Sequence, residues 1–73
     1  MIKTLIIDVL SFDNPEEYEA FEKKAKYESF DYCLGIKVIR LIKKLQAKWI
    51  IDGDNGEIDS FIKHLKLEKY IVK

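Results

Sequence analysis

Few residues of this chain could do chemistry. The acids of "IIDGDNGEID", residues 50–59, alternate as they would in a calcium loop. Cys33 and His64 are its only soft metal ligands. Arg40 and Trp49 are its single arginine and tryptophan. A calcium loop takes oxygen ligands at its first, third and fifth positions, glycine at the sixth and a bidentate glutamate at the twelfth. With Asp52 first, Asp54 fits the third position, but Gly56, Glu57 and Lys63 fall at the fifth, sixth and twelfth. With Gly56 sixth, the first, third and twelfth positions become Ile51, Gly53 and Ile62. Both registers lose the closing carboxylate. The stretch reads better as a strand end, a glycine-hinged turn and a helix start. Asp54 or Asn55 is the cap, and Glu57 stands three residues after Asp54 in capping-box position. A weak cation site at Asp52, Asp54 and Asp59 is the minor reading.

Two soft ligands are too few for a closed metal site. Cys33 is expected to be a small buried or half-buried apolar residue, and His64 to face solvent. One histidine with no Gly-x-Ser-x-Gly context supports no Ser/His/Asp set. No catalytic residue, metal or cofactor is assigned, and the chain is expected not to be an enzyme.

These residues sit in 73 positions, enough for one domain. A chain this short buries only about 60% of its unfolded surface. Small domains often add disulfides, a metal or a partner subunit. A lone cysteine excludes a disulfide within the chain and suits a reducing, cytoplasmic compartment. No apolar run approaches the ~20 residues of a membrane span. "MIKTLIIDVL" reads as a strand, because no small-residue cleavage site follows it. Thirteen acids balance thirteen bases, so no global charge draws the chain to nucleic acid or an anionic membrane. The distribution is uneven: residues 8–31 hold eight acids and three lysines, and residues 32–51 hold five bases and no acid.

The first apolar, β-branched segment, Lys3 to Leu10, is a strand. "SFDNPEE" ends it. Asn14 before Pro15 is a helix start, and Glu17 completes a capping box. Tyr18, Phe21 and Ala25 follow at helical spacing, predicting a helix over about 15–28. Ile58, Phe61, Ile62 and Leu65 form the stripe of a second helix, and "KYIVK" is a short final strand. Residues 34–48 read two ways. As a helix, Leu34, Val38, Leu41, Leu45 and Trp49 make a stripe. As a hairpin turning near Lys43 and Lys44, Ile36, Val38, Arg40 and Ile42 share one face, and the turn lacks Gly or Asn. β-branched composition and connectivity favour the hairpin.

The hairpin gives the order β-α-β-β-α-β, with a four-stranded antiparallel sheet and two helices on one face. By element order alone, over the whole chain, this resembles the ferredoxin-like fold. That α+β two-layer sandwich hosts many functions. Soft-metal carriers of this fold hold a Cys-x-x-Cys after the first strand, and acylphosphatases a glycine-rich anion loop with an arginine. Here that loop is "SFDNPEE", acidic and without cysteine. RNA-recognition domains of this fold stack bases on aromatics of the central strands. Trp49 alternates with Ala47 and Ile51 and should face the core, but Lys37, Arg40, Lys43, Lys44 and Lys48 make a basic hairpin that could bind single-stranded nucleic acid.

The other expectation is self-association. If Leu5, Ile7, Val9, Trp49 and Ile51 face the helices, the outer sheet face carries Thr4, Ile6, Asp8, Leu10, Lys48, Ile50 and Ile71, with Ile39 and Leu41 added. That is too apolar for a free surface, and large apolar patches usually mark interfaces. The chain is therefore expected to be a homodimeric ligand-sensing or protein-interaction module. Its small effector or protein partner is not named by the sequence.

Overall fold

A computed structural model describes residues 1–72. Strand β1 spans Ile2–Asp8, helix α1 Pro15–Glu28, strand β2 Gly35–Leu41, strand β3 Gln46–Asp52 and helix α2 Asn55–Leu65. Short 3₁₀ turns follow each element except β3. The strands form one antiparallel sheet in the order β1-β3-β2.

Both helices begin where their caps dictate. The Asn14 side chain accepts from the Glu17 N–H at 2.9 Å, with Pro15 in the first turn. Asp54 accepts from the Glu57 N–H at 3.2 Å. The stripe Ile58, Phe61, Ile62 and Leu65 is buried as its spacing required. Leu5, Ile7, Ala47, Trp49 and Ile51 are buried beneath the helices, as period-two alternation demands of a half-covered sheet. Residues 34–48 are the hairpin. Its turn needs no glycine, because a 3₁₀ turn at Ile42–Lys44 leads into Leu45, held left-handed at φ 53°.

The element order and the small antiparallel sheet are compatible with a ferredoxin-like layout, but three strands are present among the described residues where four were expected. α2 is closed by Lys66, the residue after its last turn, which is left-handed at φ 55°. The next residues form a 3₁₀ turn, Leu67–Tyr70, that buries Leu67 completely and stacks the Tyr70 ring on Phe12 at 4.4 Å. Burial of Leu67 thus consumes the chain that "KYIVK" would have used as a strand. What remains is one antiparallel bridge from Ile71 to Ile7 and a 2.8 Å bond from the Val72 N–H to the Ile6 carbonyl. Lys73 lies outside the described residues. β1 also ends two residues earlier than expected. The Asp8 side chain accepts from the Leu10 N–H at 3.0 Å and turns Val9–Ser11 out of the sheet.

Asp54→Ala removes the α2 cap. It should cost about 1 kcal/mol and lower the melting temperature by roughly 4–8 °C, read by circular dichroism.

Candidate functional site

The most connected polar group lies between α1 and the hairpin. Trp49, at the middle of the central strand, is fully buried. Its Nε1–H donates to the Tyr18 hydroxyl at 3.0 Å, and that hydroxyl donates to Glu22 Oε1 at 2.8 Å. Tyr18 and Glu22 are four residues apart on α1, so one helix face presents both. Glu22 Oε2 lies 3.4 Å from Lys26 Nζ and 3.8 Å from Arg40 Nη2. Arg40 Nη1 donates to Glu19 at 3.1 Å, and its guanidinium sits 5.8 Å from the Tyr18 ring centre. A hydrogen-bonded line therefore runs from the core indole to a pair of cations at the surface.

Burial raises the Tyr18 pKa well above its ordinary value. The bond from Trp49 opposes the shift, and the bond to Glu22 adds to it. The phenol stays neutral near physiological pH, its proton directed at Glu22. Beside it, Val9, Pro15, Leu41 and Leu45 line an apolar cavity of about 270 Å³ with Arg40 and Glu19 at its rim.

The basic residues expected to act together are divided. Arg40 lies on the helix side of the sheet, engaged by Glu19 and Glu22. Lys37 and Lys48 lie on the opposite, open face, and Lys43 and Lys44 at the turn. The cause is parity: Arg40 is opposite Ala47, an inward position, whereas Lys37 is opposite Ile50 and Ile39 opposite Lys48.

The open face carries no helix. Ile6 and Ile50 are half-buried there, Ile39 is 40% exposed, and Leu41 is half-buried at its end. Lys48 sits between Ile6 and Ile39, and Ile50 between Thr4 and Lys37. Two residues expected on this face are elsewhere. Leu10 is exposed on the turn after β1. Ile71 packs against the core, because it bridges Ile7 and directly opposed residues share a sheet face.

The acids of the opening stretch are spread out. Asp52 is 3.9 Å from the N-terminal amine, Asp54 caps α2, and Asp59 is 3.8 Å from Lys3 Nζ. Among the described residues no three His, Cys, Asp or Glu side chains gather to hold a metal ion. Cys33, expected to be at least half-buried, is exposed, because it closes the turn after α1 in the left-handed conformation at φ 55°. His64 is exposed as expected and meets Glu28 Oε1 at 3.2 Å. Sequence reasoning missed the Trp49–Tyr18–Glu22 line. Its one legible signal was the i, i+4 spacing of Tyr18 and Glu22. No protein-family model, curated protein or solved structure matches the chain.

Tyr18→Phe leaves the Trp49 N–H buried without an acceptor and should cost about 1–3 kcal/mol in urea unfolding. Because the folded phenol holds its proton beyond the pH at which the unfolded one releases it, Tyr18 contributes stability that is complete below pH ~10 and is lost as pH rises further. The high-pH fall in melting temperature should accordingly be shallower in Tyr18→Phe than in the wild type.

Proposed function

We propose that this chain is a non-catalytic interaction module that works as a homo-oligomer. The observation that carries this reading is an unfinished sheet. One face bears isoleucines and no covering helix, and β2 has no neighbour beyond β3 among the described residues. A domain of this size has little core to spare, and a second subunit is a common way to complete it. The default arrangement is a two-fold dimer. Three features speak for binding and not catalysis. The Tyr18 hydroxyl is taken up between Trp49 and Glu22 within the fold. The acids are dispersed in local pairs. The apolar cavity beside Tyr18 is bordered by a guanidinium already matched to carboxylates. A small effector with an apolar body would fit that cavity, which keeps ligand sensing within the same reading.

Single-stranded nucleic acid is the second reading, favoured by Lys37 and Lys48 on the open face with Lys43 and Lys44 at its end. Against it, that face has no aromatic on which a base could stack, since Trp49 is buried on the other side.

Static light scattering of the wild type at micromolar concentration should give the mass of a dimer, and a clean monomer would sink the proposal. Lysine-driven binding to a single-stranded oligonucleotide should weaken steeply as salt rises. Absent or salt-insensitive binding removes the second reading.

A further inference from the structure

The backbone bonds at the two ends of the β1–β3 ladder reveal which groups of β2 are free. The Gly53 N–H donates to the Met1 carbonyl at 2.9 Å, and the Val9 N–H to the Leu45 carbonyl at 3.1 Å. Both bonds join odd-numbered residues. In an antiparallel ladder the bonded pairs alternate. The odd residues of β3 therefore serve β1, and its even residues serve β2. Gly35, Lys37, Ile39 and Leu41 oppose those even residues. Ile36, Val38 and Arg40 are left with their N–H and C=O groups directed away from the sheet. That set is centred on Val38.

A groove between α1 and β2 runs beside this edge. Its middle is lined by Glu16, Glu19, Glu22, Lys23, Lys26 and Arg40, with Glu22 held between Lys26 and Arg40. One end is the apolar cavity at Val9, Pro15, Tyr18, Leu41 and Leu45. At the other end stand Tyr27 and Phe30, each 77% exposed, beside Leu34 and Ile36. Apart from the internally paired Glu22, the groove along α1 thus carries the acids Glu16 and Glu19 in its first half and the lysines Lys23 and Lys26 in its second, and it is hollow at one end and aromatic at the other.

Resting on the homo-oligomer reading, we infer that the occupant of this edge is a second copy of the chain, paired antiparallel through β2 about a two-fold axis at Val38. Such an axis pairs Val38 with itself and Ile36 with Arg40 of the partner subunit, which satisfies the free backbone groups of both edges. It also reverses α1 against its counterpart. Glu16 and Glu19 then face Lys23 and Lys26 of the partner subunit. Tyr27 and Phe30 reach towards the apolar cavity beside Pro15 and Tyr18 of the partner subunit. Each property of one end finds its complement in the other, which is the condition for an isologous contact. An unrelated extended peptide could satisfy the edge, but nothing in it would reproduce this reversal. The open face of the two sheets remains continuous and outside the contact.

Two sets of variants of the full chain test the assignment by light scattering and analytical ultracentrifugation, with folding checked by circular dichroism. In Val38→Pro the lost N–H points outward, so the ladder to β3 is kept; dimerisation should weaken at least tenfold. Lys23→Glu with Lys26→Glu, and separately Glu16→Lys with Glu19→Lys, should each weaken it at least tenfold. The two charge-reversed chains mixed together should dimerise again, because acid then faces base at both ends. These charge variants keep the test decisive even if Val38→Pro does not fold. A dimer indifferent to the charge reversals, or broken instead by Ile50→Lys on the open face, overturns the edge assignment alone. A monomeric wild type overturns the homo-oligomer reading itself.

Discussion

The fold depends on one indole that must be both buried and hydrogen-bonded. Trp49 occupies the middle of the central strand, flanked in register by Leu5 and Val38, with no solvent exposure. Its N–H cannot be left without an acceptor at that depth without a cost of about 1–3 kcal/mol. The Tyr18 hydroxyl provides the acceptor. That requirement fixes α1 over the sheet by direction as well as by apolar contact. Tyr18 must then place its own proton, and Glu22 receives it. Lys26 and Arg40 approach the other oxygen of Glu22 at the edge of the core. The core is tied to the surface through this line, and it emerges beside the free edge of β2.

The same economy explains what is left open. A chain of this length cannot cover both faces of its sheet with two helices. After α2, the turn at Leu67–Tyr70 buries Leu67, and no full fourth strand forms among the described residues. The result is a two-layer domain with one uncovered face, one free edge and an aromatic pair at the end of α1. Burial of Leu67 and a complete sheet compete for the same few residues, and apolar burial prevails.

Legibility in the sequence followed the range of the determining interaction. The starts of α1 and α2 were readable to within a residue because caps are local: Asn14 and Pro15 in one case, and Asp54 or Asn55 with Glu57 in the other. The stripe of α2 was readable because its period matches one buried face. Residues 34–48 were not decided by periodicity, since the same leucines and isoleucines satisfy helical and strand spacing. Pairing with β3 settles them, and pairing is long-range. The turn, expected near Lys43 and Lys44 and found there, carried no glycine signal for a related reason. Leu45 adopts a left-handed conformation that its type disfavours, and only the closed hairpin around it imposes that geometry. Arg40 was grouped with its sequence neighbours, yet parity sends it to the helix side, where Glu19 and Glu22 wait from a separate element.

By itself, then, the sequence determined where the helices begin, which stripe of α2 is buried, that Trp49 faces inward, and that the acidic loop 50–59 is a turn with a cap. All of these are set by residues a few positions apart. Only the tertiary structure decided that the fourth strand shrinks to one bridge, that Ile71 joins the core while Leu10 leaves the sheet, and that the five basic residues part company across it. It also decided that α1 and β2 enclose a groove lined by Glu16, Glu19, Lys23, Lys26 and Arg40. Those outcomes depend on strand register and on competition for a small core, and a register exists only once distant segments have met.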